Sequence, residues 1–167
     1  MSGAPTRARW SARSRDARAT AAIGEALGRT APEGAVILLE GPLGAGKTTL
    51  AQGVGMGCGV REPVTSPTYN LVLQYRGDRR FTHVDLFRLA DARALETLDL
   101  EEVLEGPGVT CVEWPGLIDG VVRPPSARVR ISAEAGSAGP RRVEGELVGE
   151  GWEDALAALA ALGRDSG

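Results

Sequence analysis

The chain has 167 residues, enough for one domain with a sizeable core and too few for two of ordinary size. An apolar fraction of 43%, a charged fraction of 25% and a net charge of −3 describe an ordinary globular chain and exclude binding to nucleic acid through a strong overall positive field. No apolar run approaches the roughly 20 residues of a membrane span, and Met1 to Arg18 lacks the apolar core of a secretory signal, so a cytoplasmic location without membrane contact is expected.

Residues 1–9 read as a flexible N-terminal tail, and residues 10–167 as a single domain. Asp16 to Arg29 places Ala19, Ile23 and Leu27 at helical spacing. A turn at Pro32, Glu33 and Gly34 leads into Ala35 to Leu39, a short continuous apolar run that predicts a strand buried on both faces. A helix is expected from Lys47 to about Gly53, ended by the glycines between Gly53 and Gly59. Asn70 to Tyr75 and Arg79 to Asp85 read as an antiparallel hairpin turning at Arg76, Gly77 and Asp78. Ala90 to Leu104 is helical with a break near Thr97, and Val109 to Val112 is a second buried strand ending at Glu113. Ala127 to Ala133 and Arg142 to Val148 alternate as strands, and Trp152 to Leu162 closes the chain as an amphipathic helix. The order predicts an α/β fold with a central, mostly parallel sheet, antiparallel additions and helices on both faces.

Between the first buried strand and the helix after it stands Gly41-Pro42-Leu43-Gly44-Ala45-Gly46-Lys47-Thr48, a full match to G-x-x-x-x-G-K-[ST] in the context this phosphate-binding loop requires. Of 19 basic side chains Lys47 alone is lysine, which marks a position where a compact ammonium is not interchangeable with a guanidinium. Gly41, Leu43, Gly44, Ala45 and Gly46 curl the backbone so that amides point inward, with the positive end of the following helix behind them. Lys47 is expected to reach the β- and γ-phosphates and the Thr48 hydroxyl to ligate Mg²⁺, while Thr49, next to the cradle, serves the helix rather than the metal.

Such a loop needs acids at the ends of neighbouring strands, for the metal shell and for the attacking water. Asp85 and Glu113 both end predicted strands and are the candidates. His83, the single histidine, is open to a packing role or a site role. A guanine reader of the Asn-Lys-x-Asp type is excluded, because Asn70 is the single asparagine and Lys47 is committed, so ATP with Mg²⁺ is the expected ligand. The two cysteines, Cys58 and Cys111, have no paired spacing and read as buried free thiols.

Four separated blocks carry a resemblance: the loop through Thr49, Val64-Thr65-Ser66-Pro67-Thr68-Tyr69, His83-Val84-Asp85-Leu86-Phe87-Arg88-Leu89, and Val112-Glu113-Trp114-Pro115. In this order and spacing, from about Thr20 to Arg142, the chain resembles the bacterial tRNA threonylcarbamoyladenosine biosynthesis ATPases of the TsaE family. The resemblance implies a P-loop NTPase fold with Thr48 and Glu113 as magnesium ligands and Asp85 serving the water or the metal shell. It implies a switch in Thr65 to Tyr69, with Thr68 near the γ-phosphate, and puts Thr20 near the adenine. Phe87 stands where the family more often has tyrosine. The implied activity is ATP hydrolysis, weak alone and raised by two partners, the threonylcarbamoyl transferase subunit TsaD and its paralogous companion TsaB, so that hydrolysis resets the complex. Contact with tRNA would be indirect, without independent nucleic-acid binding.

Local alternatives stand beside these roles: a rigid turn at Ser66 to Thr68, a plain strand end at Trp114-Pro115, and a surface ion pair for Arg88. Arg141 and Arg142 read as a solvated face. A small-molecule kinase is the competing enzyme class, although no compact arginine-rich lid is visible, and a nucleotide-dependent binding module is the third reading.

Overall fold

The computed structural model describes residues 3–67, 70–89, 93–136 and 138–164. Its elements are β1 (Arg7–Ser14), α1 (Ala17–Thr30), β2 (Ala35–Glu40), α2 (Lys47–Gly57), β3 (Val72–Tyr75), β4 (Phe81–Asp85), α3 (Leu100–Glu105), β5 (Val109–Glu113), β6 (Ser126–Ala133), β7 (Arg141–Val148) and α4 (Glu153–Arg164). Two 3₁₀ turns, Ala94–Thr97 and Pro115–Ile118, interrupt the connections. The helix expected over Ala90 to Leu104 is thus a 3₁₀ turn followed by α3, parted just after Thr97, and its first three positions lie outside the described residues. One seven-stranded sheet runs in the order β1-β7-β6-β2-β5-β4-β3. Its centre, β6-β2-β5-β4, is parallel; β3 adds antiparallel at one edge, and β7 and β1 extend the other.

Both faces of that centre are covered, which is why β2 and β5 read as unbroken apolar runs. On one face Ile37, Leu39, Phe81, Cys111 and Val129 pack beneath α1, α2 and α4. On the other, Val36, Leu38, Val84 and Val112 lie under Leu95, Ile118 and the α3 side chains Leu100, Val103 and Leu104.

Two expectations are corrected. The predicted tail ends early: from Arg7 the chain is strand β1, paired residue for residue with β7. Its signal is a period of two, with Ala8, Trp10, Ala12 and Ser14 turned inward between exposed Arg7, Arg9, Ser11 and Arg13. The arginine-rich composition masks it.

Helix α2 does not stop at Gly53 but continues to Gly57. Its glycines are the packing face against α1. A Cβ on Gly53 would lie 2.1 Å from the Ala21 carbonyl oxygen, and one on Gly28 of α1 would lie 2.0 Å from that of Val54. The helices therefore meet backbone to backbone, and the packing gained outweighs the roughly 1 kcal/mol of helix propensity that each glycine loses. α1 itself starts where the sequence indicates, with the Asp16 carboxylate accepting from the Ala19 amide at 2.8 Å.

Candidate active site

The carboxyl ends of β2, β5 and β4 come together because the strands are parallel and in register: Leu39 pairs with Glu113, and Glu113 with Asp85. Paired positions share a face, so both acids point to the side on which α2 begins. Two residues earlier, His83 pairs with Cys111 on that same face.

Leaving β2, the loop bends through Gly44 at φ +76° and Gly46 at φ +109°, a region L side chains rarely adopt. Gly46 caps α2, whose first residue is Lys47. The Lys47 ammonium donates to the carbonyl oxygens of Gly41 at 2.6 Å and Pro42 at 2.8 Å, so the loop wraps its own lysine. The Trp114 ring lies over it, 4.2 Å from Nζ to the centroid. That indole is delivered by a left-handed backbone at Trp114, φ 57° and ψ 58°, which turns the chain sharply away from β5. Burial lowers the Lys47 pKa from its ordinary value, against the opposing pull of Glu113 and Asp85.

Next in α2, Thr48 Oγ1 donates to Glu113 Oε1 at 2.9 Å. Glu113 is 3% exposed and its second oxygen meets His83 Nε2 at 2.8 Å. His83 is fully buried, and its Nδ1 donates to the Thr65 carbonyl at 3.1 Å, since a carbonyl oxygen can only accept. Asp85 accepts from the Phe87 amide at 2.9 Å and from the Ser66 hydroxyl at 3.4 Å. Residues 64–66 carry no strand ladder; they are held by Gln52 donating to the Val64 carbonyl, by the Thr65 amide donating to the Tyr75 hydroxyl, and by His83 and Asp85.

Thr48, Glu113 and Asp85 offer hydroxyl and carboxylate oxygens, the hard donors Mg²⁺ takes. Among the described residues no group of three or more His, Cys, Asp or Glu side chains could hold a metal alone. The donor set fits an ion whose remaining ligands are water and phosphate oxygens.

The structure thus gathers Gly41, Gly44, Ala45, Gly46, Lys47, Thr48, Asp85 and Glu113 at the carboxyl ends of the central strands. Leu43 is the exposed tip of the loop, and Thr49 lies inside α2. Thr20 sits against the loop from α1, where a Cβ on Gly46 would be 3.7 Å from its methyl, and its buried hydroxyl is 2.6 Å from that of Ser14. Thr68 and Tyr69 lie outside the described residues. A groove of about 580 Å³ runs beside the loop, lined by Gly41, Pro42, Phe87, Trp114, Pro115 and Leu117.

Arg141 is not the solvated residue expected from sequence. Its guanidinium donates to the Ala45 carbonyl at 3.2 Å and to the Gly139 carbonyl at 2.8 Å, tying the phosphate loop to the β6–β7 connection. Arg142 does face solvent, paired with Glu144 at 2.8 Å. The link from His83 to Glu113 also escapes the sequence reading, although His83-x-Asp85 and Cys111-x-Glu113 share one period of two on adjacent strands.

A loop threonine bonded to a strand-end acid across a parallel sheet makes this a P-loop NTPase fold. A family model described as threonylcarbamoyl adenosine biosynthesis protein TsaE matches residues 14–143. The chain belongs to the TsaE family. It is 40% identical over 134 residues to the tRNA threonylcarbamoyladenosine biosynthesis protein TsaE of a Nostoc species, covering 77% of this chain and 80% of that one. It is 36% identical over 135 residues to the Bacillus subtilis protein of the same name, covering 80% and 83%. The crystal structure of Bacillus subtilis YdiB superposes with a TM-score of 0.68 at 26% identity, over 99% of this chain and 100% of that one.

Proposed function

We propose that this protein is a Mg²⁺-dependent ATPase that acts in forming threonylcarbamoyladenosine on tRNA, as a nucleotide-driven switch that resets the transferase complex. The observation that carries the reading is the 2.9 Å bond from Thr48 Oγ1 to Glu113 Oε1 beside the phosphate loop. It brings together the hydroxyl and the carboxylate that would hold the metal.

The loop amides and the start of α2 bind the polyphosphate, and Lys47 exchanges its bonds to the Gly41 and Pro42 carbonyls for phosphate oxygens. Bound Mg²⁺ supplies positive charge that neutralises the phosphates. Glu113 and Thr48 keep their oxygens directed at the metal position, and Asp85 orients water there or completes the metal shell. Residues 65–69 respond to the γ-phosphate, and Thr20 lies toward the adenine end. The partners are TsaD and TsaB, the association with tRNA is indirect, and the location is cytoplasmic. No helix among the described residues is long and apolar enough to cross a membrane.

Phosphate release from ATP with Mg²⁺ tests the reading, measured with the protein alone and with TsaD and TsaB added. Stimulation by the partners is expected. No release under either condition would refute it, and a phosphorylated small-molecule product would favour a kinase.

A further inference from the structure

We infer that His83 is a positioning residue that couples the segment at Thr65 to the carboxylate of Glu113. The inference rests on the reading of Glu113 as a metal ligand. His83 is fully buried, and both of its ring nitrogens are engaged: Nδ1 with the Thr65 carbonyl at 3.1 Å and Nε2 with Glu113 Oε2 at 2.8 Å. Burial alone would require partners for the ring; what points to the site is that one of them is Glu113, the acid that also accepts from Thr48.

The geometry divides Glu113 between two duties. Oε1 accepts from Thr48 and faces the loop, while Oε2 is anchored by the imidazole. The same ring holds the backbone of a segment that has no ladder to the sheet. A shift of Thr65 therefore moves the imidazole, and the imidazole moves the carboxylate. The segment is coupled to the metal position through one side chain. Phe81 stacks on the ring with centroids 6.1 Å apart, which limits its freedom to turn independently.

Because the chain has a single histidine, a ¹⁵N spectrum of histidine-labelled protein reports this ring alone. In the nucleotide-free protein Nδ1 is expected to carry a proton, and both ring signals are expected to shift when Mg²⁺ is added to protein saturated with a non-hydrolysable ATP analogue. An unprotonated Nδ1 would overturn the inference, as would ring signals that ignore Mg²⁺ while the Thr48 amide of a uniformly ¹⁵N-labelled sample responds. His83→Gln keeps an amide toward Glu113 and His83→Asn one toward Thr65. Each is expected to lower kcat by about 10- to 100-fold with little change in KM, and to lose the Mg²⁺-induced protection of the Val64, Thr65 and Ser66 amides from hydrogen exchange. Either variant behaving as the wild type refutes the coupling. Should a variant fail to fold, the wild-type spectrum still decides. A wild-type protein that does not bind the analogue refutes the proposed function instead.

Discussion

Thr48 and Glu113, 65 residues apart in the chain, are joined by a 2.9 Å hydrogen bond from hydroxyl to carboxylate. If these oxygens hold the metal, replacing Glu113 by Gln keeps the shape and removes the charge. Mg²⁺-free nucleotide binding is expected to survive, while hydrolysis falls by about 100-fold or more. Calorimetric titration with and without Mg²⁺, alongside phosphate release, checks both halves.

Lys47 lies under Trp114 with its ammonium bonded to two loop carbonyls. Lys47→Ala is expected to abolish productive ATP binding, and Lys47→Arg to weaken it, because a planar fork does not replace a point charge there. Burial lowers the Lys47 pKa, whereas bound phosphate would raise it. Between the two values binding takes up a proton, so affinity falls as pH rises through that range. Titration in buffers of different ionisation enthalpy would reveal the uptake.

The α1–α2 contact predicts a sharp difference between glycines. Gly28→Ala forces a methyl to within 2.0 Å of the Val54 carbonyl oxygen, a clash that only separation of the helices relieves. A loss of about 2 kcal/mol or more is expected. Gly116→Ala meets nothing within 4 Å and serves as the control; its change should stay within about 0.5 kcal/mol. Urea denaturation of both variants beside the wild type measures the difference.

Burial pushes the Cys58 thiol up to about 11 and raises that of Cys111 well above its ordinary value. At pH 8 only about one Cys58 in a thousand would be thiolate, and the thiolate is the reactive form. The native protein is expected to resist thiol reagents, and the protein in guanidinium to titrate both cysteines. Rapid native modification would show that the core opens more readily than its packing indicates.

The phosphate loop is legible in the sequence because its chemistry is local. The glycines, the lysine and the threonine lie within eight consecutive positions, and the buried strand before them shows as an apolar run. Asp85 and Glu113 can be nominated as strand ends for the same reason. The first strand is not legible in that way, since its inward Ala8, Trp10 and Ala12 alternate with arginines that suggest a tail. The α2 glycines read as a stop because propensity is local, whereas their value lies in a second helix.

Sequence by itself determined the loop, the order of elements from α1 onward and the family resemblance, all of which depend on spacing along the chain. Tertiary structure decided which acid meets Thr48, what His83 holds, and that Arg141 reaches the Ala45 carbonyl. Those contacts depend on strand order and register in the parallel sheet, which bring distant residues together and which no local pattern encodes.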